Sequence, residues 1–155
     1  MINKYMQEAI IEADYGIKNG HGGPFGAVIV KGGKIIASSA NNVTRKNDPT
    51  AHAEIEAIRK AAKKLKTFDL SGCEIYSSCE PCPMCLAAIY WAQLKAVYYG
   101  TAKEIASREG FKDAFIYKEL SLSPAKRKIK QTEVPTPEGI EPFKVWKKSL
   151  KKIKY

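Results

Sequence analysis

Histidine is scarce in this chain: only His21 and His52 occur in 155 residues. A site built from several imidazoles is therefore excluded. Long apolar runs are missing too, and no stretch reaches the roughly 20 apolar residues that a membrane-spanning helix needs. The N-terminal stretch MINKYMQEAIIEADYGIKNG carries carboxylates inside its apolar pattern and lacks the continuous apolar core of a secretory signal. These absences lead to the expectation of a cytoplasmic protein with no membrane partner. No internal repeat, linker or low-complexity tract is present. A chain of 155 residues suits one domain with its own core and falls short of two typical ones. Its 45% hydrophobic and 27% charged residues exclude wholesale disorder.

Negative charge is also in short supply. The formal net charge is +10, and residues 101–155 hold 14 basic against 7 acidic side chains. A basic tail such as KVWKKSLKKIKY can hold nucleic acid through phosphate contacts. It can equally be a solvated helix face or the lysine enrichment of heat-adapted proteins. No RNA-binding motif accompanies it, so the solvated face is the simpler reading, with nucleic acid left as an alternative partner.

What the chain does have is regular patterning. Tyr5, Met6, Ala9, Ile10, Ala13 and Ile17 recur at spacings of three and four, which predicts one stripe of a helix over 3–18. Asn19 and Gly20 suit its C-terminal cap. PFGAVIV and IIASSA read as strands joined by the tight turn KGGK. A polar loop, NNVTRKNDPT, leads into a helix over AHAEIEAIRKAAKKLK. CEIYSS is a third strand, CLAAIYWAQL a helix that begins inside a cluster of cysteines, and KAVYYG a fourth strand. Strand, helix, strand, helix, strand in succession predicts parallel pairing, and the opening hairpin makes the sheet mixed. The expected fold class is therefore α/β, a three-layer α/β/α sandwich with a mixed central sheet. Short helices are expected near 103–109 and 112–118, a loop around VPTPEG, and a last helix near 142–151.

Three of the four cysteines fall within SSCEPCPMC, residues 77–85. In a reducing compartment such clusters bind metal or do chemistry more often than they form disulfides. Cys82 and Cys85 lie about one helical turn apart, so at a helix start both sulfurs face the same side. Pro83 sits just inside that start, where its missing N–H costs nothing, and the positive end of the helix favours thiolate. A structural zinc site needs four protein ligands, commonly a second pair of similar spacing, and none is present. Cys73 reads as a small buried residue and His21 as a loop residue, while Cys79 has no assigned role. His52 opens a helix, and Glu54 follows two residues later. His52, Cys82 and Cys85 then make a three-ligand set with one position open to water, as in catalytic zinc sites. Two thiolates cancel the charge of the ion and leave its water less acidic, so a nearby base is needed, and Glu54 is placed for that task.

These residues carry a resemblance. His52-Ala53-Glu54 followed by Pro81-Cys82-Pro83-Met84-Cys85 resembles the signature of the cytidine deaminase superfamily of zinc-dependent nucleobase deaminases. The resemblance spans the chain and is closest over residues 23–118. It implies a cytidine deaminase-like sandwich with five or nearly five strands, one zinc per subunit at two helix N-termini, and Glu54 as the proton shuttle during attack of water on an amidine-like ring carbon. Within the superfamily, GGPFGAVIV, NNVT, NDPTAHAE, SSCEPCPMCLAAIYWA and GFKDAFIYKE are similar to the bacterial guanine deaminases. That likeness implies hydrolysis of guanine to xanthine and ammonia. It implies that Asn41 and the Ala53 backbone N–H hydrogen-bond the purine, that Phe25 and Trp91 wall the pocket, and that Asp113 contacts the purine edge and helps protonate the leaving amine. It also implies a homodimer that exchanges a C-terminal segment, about 119–155 of an otherwise single domain 1–155, with Tyr155 closing the partner's pocket. Alternatives are a tRNA adenosine deaminase, a guanosine, cytosine or cytidine deaminase, and more remotely a noncatalytic zinc- or RNA-binding module.

Overall fold

The computed structural model describes residues 3–155. Its contacts divide the chain into two compact units, one ending at Tyr117 and the other running over Lys118–Tyr155. The first unit carries the sheet. Helix α1 (Lys4–Lys18) precedes strands β1 (Gly26–Lys31) and β2 (Lys34–Ala40), a one-turn helix α2 (Val43–Lys46) and helix α3 (Ala53–Leu65). Strand β3 (Cys73–Cys79), helix α4 (Pro83–Trp91), strand β4 (Ala96–Thr101) and helices α5 (Lys103–Arg108) and α6 (Asp113–Ser121) follow.

The strand order is β2-β1-β3-β4. Strand β1 is antiparallel to both β2 and β3, and β3 is parallel to β4. The mixed sheet expected from the sequence is present, with four strands among the described residues where five or nearly five were implied. Parallel pairing is confined to β3 and β4. The segment leaving β2 through α3 returns beside β1, so β3 runs in the same sense as β2 but is separated from it by one strand. The β1–β2 turn follows the sequence: Gly32 and Gly33 take φ of +54° and +75°, the left-handed pair that a two-residue hairpin requires.

Strand β1 is the centre of the core, because its side chains alternate between two covered faces. Ala27 and Ile29 pack with Ala53, Ala57 and Ala61 of α3, Ile75 of β3 and Ile89 of α4. Val28 and Val30 pack on the other face with Ala9 of α1 and Tyr76 of β3. Helices thus cover both faces, the α/β/α layering. The stripe expected on α1 is rotated in the structure. Its buried residues are Ala9, Ala13 and Gly16, whereas Ile10 and Ile17 are about half exposed. Backbone approach explains the choice. A Cβ on Gly26 would meet the Ala9 carbonyl oxygen at 2.0 Å, and one on Gly16 would meet the Ala40 Cβ at 2.8 Å. A seam that tight admits alanine and glycine and leaves the larger isoleucines outside.

The second unit contains the end of α6, short 3-10 turns at Pro124–Lys126 and Pro137–Ile140, and helix α7 (Glu141–Lys148). No residue from Lys118 onward is buried. Among the described residues, no helix is long and apolar enough to cross a membrane.

Candidate metal centre and purine pocket

Two helix starts build the site. His52 is the N-cap of α3 and Cys82 the N-cap of α4, each with extended backbone (ψ 154° and 168°) and neither using its side chain to cap. Both side chains are therefore released from the usual capping role and directed elsewhere. Pro83 occupies the first turn of α4, and Cys85 follows on the same side. Ile55 packs with both cysteines and with Met84 and Ala88, which locks the two helix starts together.

One donor atom from each of His52, Cys82 and Cys85 lies within 4.8 Å of the others. His52 Nδ1 stands 3.6 Å from the Sγ of Cys82 and 3.6 Å from that of Cys85. A tetrahedral zinc ion about 2.3 Å from sulfur and about 2.0–2.1 Å from nitrogen requires roughly that separation between the donors. The residues present therefore fit the metal. The thiols are already polarised for it. The hydrogen bond from Cys85, followed by that to His52, holds the Cys82 thiol down at about 4 despite burial. The same bond to Cys82, together with burial, pushes Cys85 up. A divalent cation would displace the thiol protons, because metal binding requires deprotonated ligands.

Glu54, in the first turn of α3, is 5% exposed. Its Oε1 accepts from Ser77 Oγ at 3.1 Å and its Oε2 from the Cys85 thiol at 3.4 Å. Burial raises its carboxyl above the usual glutamate value. Ser77 is a residue that motif reading missed. It lies on β3 opposite Ala27 and is fully enclosed, which strand alternation alone could have flagged.

A cavity of about 300 Å³ opens onto this cluster. His52, Glu54 and Cys82 line it, as do Phe25, Asn41 and Asp113. Asn41 is held in place: its backbone N–H donates to the Phe25 carbonyl at 2.8 Å, and its side-chain Oδ1 accepts from the Val43 N–H at 3.1 Å. Nδ2 is then the part of the amide left for a ligand. Ala53 is fully buried as the first residue of α3, where a helix leaves backbone N–H groups without intrahelical acceptors. Asp113 begins α6, and burial, then the nearby Cys82, raises its carboxyl.

Trp91 is not brought to this cavity. It is 64% exposed at the far end of α4, and the nine residues of that helix carry it away from the cysteines. Tyr155 is 75% exposed and lines a separate hollow with Pro142, Phe143 and Trp146. Phe111, which sequence reading missed, lines the cavity and meets Phe25 edge-to-face, centroids 4.7 Å apart. No periodic signal marked it, since it follows Gly110 in a loop. Glu80 also lines the cavity, but its carboxylate accepts from Lys103 Nζ at 2.8 Å, which keeps its pKa low. Cys79 stays outside the donor cluster. Burial pushes its thiol up to about 11, and it donates to the Ala102 carbonyl at 3.9 Å, the contacts of a packed neutral thiol. His21 is a loop residue packed edge-on against Tyr15.

Fold and site together define a zinc-site deaminase sandwich, and the comparisons with known proteins agree. Residues 1–101 match the family model described as the cytidine and deoxycytidylate deaminase zinc-binding region, and the chain belongs to that family. Among its relatives, a guanine deaminase of Bacillus subtilis (strain 168) is 50% identical over 151 residues, covering 97% of each chain. An X-ray structure of guanine deaminase from Bacillus subtilis superimposes with a TM-score of 0.95 at 49% identity, over 100% of this chain and 99% of that one. A tRNA-specific adenosine deaminase of Agrobacterium fabrum is 48% identical over 77 residues, which is 50% of this chain and 51% of the relative.

The glycines of HGGPFG give this pocket a testable dependence. A Cβ on Gly22 would stand 2.0 Å from Asn41 Oδ1 and must displace the amide. Gly22→Ala is expected to lower kcat/KM to about the same level as Asn41→Ala, roughly 10–100-fold for one lost buried hydrogen bond. Steady-state kinetics on both variants and on the double variant check this. The double variant is expected to be little worse than either single one.

Proposed function

We propose that this chain hydrolyses guanine to xanthine and ammonia, using a zinc ion held by His52, Cys82 and Cys85. The observation that carries the reading is Glu54, buried and doubly hydrogen-bonded beside the donor cluster, at the wall of a cavity sized for one planar base. The full-length likeness to a guanine deaminase selects the base.

When bound, zinc polarises water and lowers its pKa. The protein does the rest. Glu54 accepts the proton of the attacking water at its carboxylate and gives it to the ring nitrogen, then carries the proton of the new hydroxyl to the amine as the C–N bond breaks, while Ser77 keeps the carboxylate from rotating away. Asn41 Nδ2 and the Ala53 N–H orient the purine edge. Phe25 contributes an aromatic face, and Asp113 holds a second proton near the leaving group. Water adds, ammonia leaves, and no redox partner is needed.

The second unit supports a further part of the reading, a homodimer with C-terminal exchange and Tyr155 acting on the partner's pocket. Its apolar side chains, Phe143, Val145, Trp146, Leu150, Ile153 and Tyr155, are all 45% exposed or more. A segment of 38 residues without a buried side chain has no core of its own, and contiguous exposed apolar surface marks an interaction site. A cytoplasmic location accords with a purine base as substrate.

Ammonia release with guanine, guanosine, adenine, cytosine, cytidine and a tRNA anticodon stem-loop tests the substrate. Guanine is expected to be the preferred substrate; an active stem-loop with inert guanine would replace the reading with RNA editing. Glu54→Gln is expected to keep its zinc and lose about a hundredfold or more in kcat, the scale of a missing general base. Deleting residues 151–155 is expected to reduce kcat/KM by about tenfold or more through loss of pocket closure. Full activity in that truncated chain would remove Tyr155 from the site.

A further inference from the structure

A second cavity, of about 330 Å³, lies against the first. Its lining is mainly apolar and includes Ile10, Ala13 and Ile105, with Cys79 on one side. Among the described residues, only Phe25 and Phe111 line both cavities. Their rings meet at 80° with centroids 4.7 Å apart, an edge-to-face pair that fills the boundary. Gly23 leaves room for the pair: a Cβ there would stand 2.9 Å from Phe25 and 3.0 Å from Phe111. On the far side, Ile10 and Ile105 are 49% and 46% exposed, so the second cavity reaches the protein surface.

The two rings are not equivalent. Phe25 is the ring assigned to the face of the purine, and its backbone carbonyl accepts the Asn41 backbone N–H at 2.8 Å. Phe111 belongs to a separate loop. Gly110, at φ +91°, makes the turn out of α5, and the Phe111 N–H returns to the Ala106 carbonyl at 3.1 Å. Its ring is therefore placed by the end of α5 and has no bond to the catalytic residues.

We propose that Phe111 is the size-determining wall of the site: it confines the pocket to an unsubstituted purine and excludes guanines that carry an apolar substituent, for which the neighbouring cavity already has the space and the lining. A pocket of about 300 Å³ is at the small end for ligand sites, which suits a bare base. Removing the Phe111 ring opens it into an apolar space with an outlet to solvent. The same opening lets water in beside Glu54, so guanine itself is handled less well. The proposal rests on the guanine reading above and deepens it by naming what sets the substrate's size.

The test uses the zinc-loaded full chain with guanine and with 7-benzylguanine, 8-benzylguanine and 9-benzylguanine, because the three isomers direct the added ring differently. Phe111→Ala is the main variant, and Phe111→Leu serves if the alanine form does not fold. Wild type is expected to reject all three isomers. At least one is expected to gain tenfold or more in kcat/KM in the variants, while kcat/KM for guanine falls. Calorimetric binding of the same isomers to Glu54→Gln, with and without the Phe111 change, reads the wall independently of turnover. Absence of any gain in both turnover and binding for all three isomers overturns the wall. Failure of the wild type to hydrolyse guanine counts against the guanine reading, and the binding arm still decides the wall.

Discussion

Two helix N-termini aimed at one point are the constraint on which the rest of the molecule depends. His52 and Cys82 occupy N-cap positions, yet neither spends its side chain on capping. The orphan N–H groups at each start lend positive potential to the space where thiolate charge collects. The two thiols are pushed in opposite directions, Cys82 down and Cys85 up. A zinc ion held by His52, Cys82 and Cys85 would have its charge balanced by two thiolates. Because that balance leaves little net charge to acidify the water, the fold must supply a base. Glu54, the second residue of the helix that presents His52, stands where that base is proposed to act.

The sandwich around this point is organised to keep the two helix starts still. Strand β1 is covered on both faces, by α1 on one side and by α3 and α4 on the other. The α1 side is held by small residues against glycines, a contact with no slack. Ser77 comes from β3 to hold Glu54, and the loop that follows β3 delivers Cys82. Lys103 ties Glu80 in that loop, and Tyr117 donates to the Pro81 carbonyl at 3.0 Å. The cysteine loop is therefore braced on both sides of Pro81, which limits the drift of the sulfur donors.

Much of this was legible in the sequence because it depends on local spacing. A Cys-x-x-Cys with proline inside a helix start, and a His-x-Glu at another, can be read without a fold. The four strands and the main helices follow from alternation and periodicity. Other features were not legible because they depend on packing between distant segments. The burial of Ala9 and Gly16 in place of Ile10 and Ile17 is decided by the backbone of β1 and β2. Alternation marks Ser77 as enclosed, but its support of Glu54 is visible only once β3 packs against α3. Phe111 reaches the pocket from a glycine turn with no pattern of its own, and Trp91 lies at the exposed end of α4, outside this chain's own cavity. The strand after α3 returns beside β1 rather than β2, a choice no local signal encodes.

The measurement that bears most directly on this account is the metal content of the purified chain, set beside its activity on guanine. Elemental analysis is expected to find one zinc per chain, with activity lost on chelation and restored by zinc, and with zinc reduced severalfold or more in His52→Ala and in Cys82→Ala. A fully active preparation without bound metal, or a His52→Ala variant that retains stoichiometric zinc, would contradict it.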